Sequence, residues 1–147
     1  MSSRSSRTAA CTNGDSTMPR FTVHISEAAL DGEAEEGLIR GLADAVGSVY
    51  GEQFGRLAAV DLVGIPQHRR GIGGAPTDLT APNITLSLRE AAYRHPDVPD
   101  APARLITAIT AITDAVAGVL GEQVRHQVAV GLPAVPEGRS GIGGQVA

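Results

Sequence analysis

PRFTVHISEAA at residues 19–29 and PNITLSLREAA at residues 82–92 match position by position at a spacing of 63 residues. Farther along, the match continues at a spacing of 70. Asp44-Ala45-Val46 repeats as Asp114-Ala115-Val116, Val49 as Val119, Gly51-Glu52-Gln53 as Gly121-Glu122-Gln123, and Gly71-Ile72-Gly73-Gly74 as Gly141-Ile142-Gly143-Gly144. Self-similarity sustained at a fixed spacing marks a duplicated structural unit. The change of spacing puts about seven extra residues into the second copy around HPDVPDA, 95–101, a Pro-rich loop ahead of its helix. The copies are repeat one, 19–75, and repeat two, 82–147 of a single domain spanning 19–147, with residues 1–18 as a disordered or removed extension.

Each copy carries the same succession of periodicities. Phe21, Val23 and Ile25 alternate with polar residues, as do Ile84, Leu86 and Leu88, which predicts a strand with two unlike faces. Leu38, Leu42, Val46 and Val49 in copy one, and Leu105, Ile109, Ile112, Val116 and Val119 in copy two, follow the i, i+3/i+4 spacing of an amphipathic helix. Asp31 and Asp100 suit the helix N-caps. A second strand is expected over 57–65 and again over 127–135, and GIGG predicts a tight glycine turn or hairpin.

A strand, a crossover helix and a second strand must pair in parallel and with right-handed sense. Two tandem β-α-β units therefore predict an α/β (α+β) fold, a four-stranded sheet with both helices on one face. The opposite face, which carries Thr22, His24, Thr85 and Ser87, is left without a cover, and this predicts a symmetric homo-oligomer.

With 42% hydrophobic residues, a net charge of −4 and no Trp, the chain lacks both the basic surface and the stacking platforms that nucleic acid requires. No apolar run is long enough for a membrane span, and the first 17 residues lack the apolar core of a secretory signal. The single Cys11 forms no intrachain disulfide, so a cytoplasmic location is expected. His68, His95 and His126 lack metal-ligand spacing, and no metal site is expected. GIGG followed by Ala75-Pro76 is not a phosphate loop, because neither a Lys-Ser/Thr pair nor a helix start follows it.

A β-α-β unit opened by Met18-Pro19 and closed by Arg70-Gly71-Ile72-Gly73-Gly74 resembles the tautomerase superfamily, whose short type member is 4-oxalocrotonate tautomerase. The resemblance runs from Pro19 to Gly144, and the fusion of two copies is similar to the long, trimeric members of that superfamily. It implies a cofactor-independent enzyme acting on a small carboxylated enol or ketone, a homotrimer, and a mature chain beginning at proline. Pro19 is thereby assigned as catalytic acid or base. Met18 then reads as the translation start, removed ahead of proline. The chemistry agrees: a terminal secondary amine shuttles a proton between enol and ketone when its pKa lies near ambient pH. An internal Pro19, acylated by the tail, would have no basic nitrogen. Pro82 is internal and can only be structural.

The arginines with which the short tautomerase grips its dicarboxylate correspond here to Ala29 and Ala59, and the aromatic residue before GIGG to Arg70 and Ser140. Arg89, eight residues into copy two, stands where the resemblance places a carboxylate-binding arginine in dehalogenase-like members. Arg70 and Arg139 precede the glycine turns as further substrate-binding candidates, and Glu137 is the candidate for activating water. Tyr50 and Tyr93 either line a pocket or simply pack, and His24 reads as structural. Three functions stay open: a keto-enol tautomerase, a dehalogenase, hydratase or decarboxylase on the same scaffold, and a non-catalytic oligomer.

Overall fold

A computed structural model of the chain describes residues 19–77, 81–117 and 127–146. Strand β1 (Arg20–Ser26) leads through a 3-10 turn (Glu27–Ala29) to helix α1 (Glu33–Tyr50), the short helix α2 (Glu52–Gly55) and strand β2 (Ala59–Ile65). A hairpin of β3 (Arg70–Ile72) and β4 (Ala75–Thr77) ends the first half. The second half follows the same plan. It comprises β5 (Asn83–Arg89), α3 (Glu90–Tyr93), α4 (Ala101–Ala117), β6 (Ala129–Gly131), β7 (Ala134–Val135), and a last hairpin of β8 (Gly141–Ile142) and β9 (Gln145–Val146). Val119, Gly121-Glu122-Gln123 and His126 lie outside the described residues, as do residues 1–18.

The sheet order is β2-β1-β5-β6, with β7 also paired to β5. β1 and β2 are parallel, as are β5 and β6, and the two units join through antiparallel β1 and β5. That central register pairs Thr22 with Thr85 and Val23 with Ile84. Thr22 and Thr85 occupy equivalent places in the two copies, so an internal pseudo-twofold axis passes between them. The prolines before the two strands act alike: the Pro19 carbonyl accepts from the Ala59 amide at 2.9 Å, and the Pro82 carbonyl from Ala129 at 3.1 Å. Each opens a parallel ladder.

The second strand of copy two departs from the continuous 127–135 expected. It breaks into β6 and β7 around Leu132-Pro133, because proline has no amide hydrogen to extend a ladder. Its carbonyl still accepts from Leu88 at 3.4 Å. In copy one, where Val63 stands at the equivalent place, β2 runs unbroken for seven residues.

One face of the sheet and one stripe of each helix form the core. Phe21, Val23, Ile25, Ile84 and Leu86 are fully buried against Leu38, Leu42, Val46, Leu105 and Ile109. Each contributes about 1.5–3 kcal/mol of apolar burial. The helices run antiparallel at close range, since a Cβ on Gly37 would meet Val116 and one on Gly41 would lie 2.5 Å from Ile112 Cγ2. At the start of α1, Asp31 Oδ1 accepts from the Glu33 and Ala34 amides, and Glu35 Oε1 accepts from Gly32 at 2.7 Å. Those bonds, from Ala34 first and then Glu33, hold the Asp31 carboxyl below its ordinary range. No helix among the described residues is long and apolar enough to cross a membrane.

Both GIGG segments make hairpins. Gly73 and Gly74 have φ of 62° and 88°, and Gly143 and Gly144 have 61° and 82°. Two consecutive positive φ angles match the twist of a two-residue hairpin loop, which a side chain at either place would strain. The hairpins stand apart from the main sheet and leave Ile72, Ile142 and Val146 exposed. The outer sheet face carries Thr22, His24, Thr85 and Ser87, all half-buried, and an exposed Arg20–Asp61 ion pair at 3.7 Å.

Candidate active site

Antiparallel pairing decides which residues meet at each end of the sheet. Arg20 pairs with Ser87, so Pro19, one residue before Arg20, lies at the same end of the central strands as Arg89, two residues past Ser87. At the opposite end the pseudo-twofold brings together Pro82 and Ser26, the latter at the place equivalent to Arg89. A cation therefore occupies one of the two equivalent ends. Pro19 is itself buried.

Arg89 ends β5 half-buried and lines two hollows. The first, of about 310 Å³, is walled by Tyr50, Phe54, Ala91, Ala92 and His95. The second, of about 180 Å³, shares Ala91 and adds Glu90, Arg94, Val135 and Glu137. The fold thus brings Arg89 and the exposed Glu137 to one cleft, where Arg94 is paired with Glu90 at 3.1 Å. Arg70 is half-buried in β3, in register with Thr77, and Arg139 is exposed in the turn before β8; neither lines these two hollows.

The chain just after Arg89 is held by phenols. The single Tyr93 hydroxyl hydrogen is shared between the Leu86 carbonyl, 2.8 Å from Oη, and the Pro133 carbonyl at 3.1 Å, tying α3 to β5 and to the break before β7. Tyr50 Oη donates to the Ala92 carbonyl at 2.8 Å, tying the end of α1 to the same turn. Burial raises both phenols above their ordinary range, and for Tyr93 the neighbouring Tyr50 adds to the effect. They stay neutral donors at physiological pH. Tyr50 also stacks at a tilt on Phe54, with ring centroids 5.0 Å apart.

Phe54, His95 and Arg94 were not singled out as site residues by the sequence pattern. The available signal was scarcity: the chain has two Tyr and two Phe, and three of these four, Tyr50, Phe54 and Tyr93, gather around the end of β5.

No protein-family profile and no curated protein matches this chain. Solved structures do match in fold. A wild-type fused 4-OT described as an asymmetric trimer superposes with a TM-score of 0.70 at 23% identity, covering 87% of this chain and 95% of its own. A native fused 4-OT crystal structure gives 0.69 at 22% identity with the same coverage. A member of the cis-3-chloroacrylic acid dehalogenase family gives 0.65 at 16% identity, covering 86% of this chain and 82% of its own. The chain has the tautomerase fold in its fused, two-unit form.

Proposed function

We propose that the protein is a cofactor-independent isomerase moving a proton on a small carboxylated enol or ketone, with Pro19 as the acid/base in a chain that begins there. The observation that carries this reading is the central strand register, which sets Arg89 at the Pro19 end of the sheet. The Pro19 nitrogen takes the enol hydroxyl proton, the carbonyl forms, and the resulting prolyl ammonium returns a proton to carbon. Arg89 holds the carboxylate through charge-assisted hydrogen bonds, and its positive charge favours the free amine. An amine two pKa units too basic is only about 1% free base, and correcting that takes roughly 2.7 kcal/mol of differential stabilisation. Buried surroundings and a nearby guanidinium both act in that direction.

The fused 4-OT structures described as trimers support a homotrimer here, as does the outer sheet face, which no element among the described residues covers. The test is ketonisation of phenylenolpyruvate, followed by ultraviolet absorbance, for three proteins: a chain starting at Pro19, the same chain with Pro19→Ala, and the full 147 residues. Turnover is expected only in the first. Equal rates in the first two would refute the assignment and leave the non-catalytic oligomer.

Glu137 in the cleft with Arg89 favours a second reading on the same scaffold. In hydration, Glu137 takes a proton from water, the hydroxyl adds to the substrate carbon, and protonated Pro19 supplies the proton to the neighbouring carbon; in dehalogenation the hydroxyl adds to the halogen-bearing carbon, and the resulting halohydrin collapses to a carbonyl as the carbon–halogen bond breaks, releasing halide and a proton.

A further inference from the structure

We infer that the hollow between the end of α1 and the turn after β5 is a binding site for a monocarboxylate with an aromatic or branched apolar tail, the carboxylate at Arg89 and the tail against Tyr50 and Phe54. The walls decide the class. Tyr50, Phe54, Ala91 and Ala92 line the hollow, and the Tyr50 hydroxyl is already engaged by the Ala92 carbonyl. The wall therefore offers ring faces and methyl groups rather than donors. The polar groups are Arg89 and His95. His95 Nδ1 accepts the Asp97 amide at 3.1 Å, which places the proton of the neutral ring on Nε2 and makes that atom a donor. Two donors beside an apolar wall suit one carboxylate. A second carboxylate on the tail would be desolvated against aromatic carbon without a partner, a costly arrangement.

A volume of about 310 Å³ accommodates one ring with a short acid chain and lies at the small end of ligand pockets. The tilted Tyr50–Phe54 pair presents a ready surface for such a ring.

This inference rests on the reading of Arg89 as the carboxylate anchor but not on Pro19, so binding and turnover test different things. Isothermal titration of the full chain with 3-phenylpropionate should show saturable binding. Its uncharged amide and the dicarboxylate adipate should each bind at least tenfold more weakly. Arg89→Gln should weaken 3-phenylpropionate at least tenfold, and Ala91→Leu, which fills the hollow from an exposed position, should do the same, whereas Arg40→Gln on the exposed face of α1 should not. Equal binding of acid and amide, indifference to Arg89→Gln or Ala91→Leu, or equal loss in Arg40→Gln would overturn the inference. Binding of this pattern in a protein whose Pro19-initiated form does not turn over phenylenolpyruvate would uphold the pocket and remove the isomerase.

Discussion

Tyr93→Phe is the sharpest test of how the turn carrying Arg89 is held. The substitution deletes one hydroxyl that serves two carbonyls, Leu86 at 2.8 Å inside β5 and Pro133 at 3.1 Å at the break before β7. The Leu86 bond is the shorter and lies in the more enclosed place, so its loss costs about 1 kcal/mol; water partly replaces the second bond, for a total of about 1.5 kcal/mol. At fixed protomer concentration this corresponds to a fall in Tm of about 5 °C. The pH dependence gives an independent check. The folded phenol is raised above the value of about 10 that it has in the unfolded chain. The unfolded state therefore loses its proton first, and the stabilisation is complete below pH about 10 and lost as pH rises through the folded value. The limiting slope is about 1.4 kcal/mol per pH unit for each phenol, and solvent screening of a half-exposed ring shortens the pH range over which it applies. Removing Tyr93 leaves only the Tyr50 contribution, so the gap between wild type and variant should be constant near neutrality and narrow above pH about 10. Urea unfolding monitored by far-ultraviolet circular dichroism from pH 7 to 11 measures both. An unchanged midpoint at pH 7, or a gap that widens in alkali, would refute the reasoning.

Gly41→Ala should destabilise by about 1 kcal/mol, because the new Cβ lies 2.5 Å from Ile112 Cγ2 and overpacking of about 2 kcal/mol outweighs the helix-propensity gain of about 1. In an Ile112→Ala background the same change should become stabilising, and a double-mutant cycle by urea denaturation reads the sign. Glu137→Gln should lower hydration or dehalogenation at least ~100-fold while leaving phenylenolpyruvate ketonisation within about twofold, since only the former needs a base for water. Multi-angle light scattering should give three times the 15.1 kDa protomer mass, and a stable monomer would refute the trimer.

Much of the architecture was legible because it is local. Alternation in PRFTVHIS and PNITLSLR places three apolar side chains of each strand on one face whatever lies beside it, and all six are buried. The helical stripe of Leu38, Leu42, Val46 and Val49 is likewise set by the 3.6-residue turn and is buried throughout. GIGG became a hairpin in both copies because adjacent glycines accept the positive φ that the turn demands. The duplication itself, with Thr22 and Thr85 at equivalent places, is a property of the string of letters.

Neighbourhood was decided only in three dimensions. Nothing within β1 or β5 states that they pair antiparallel with Thr22 opposite Thr85, yet that register alone sets Arg89 at the Pro19 end of the sheet. The gathering of Tyr50, Phe54 and His95 around Arg89 joins a helix end, a strand end and a turn separated by tens of residues. Glu137 reaches the same cleft because the chain resumes as β7 after Pro133 and pairs Val135 with Arg89. Periodicity fixes which way a side chain faces, since that depends on its own backbone; what it faces depends on long-range pairing, which short stretches of sequence do not encode.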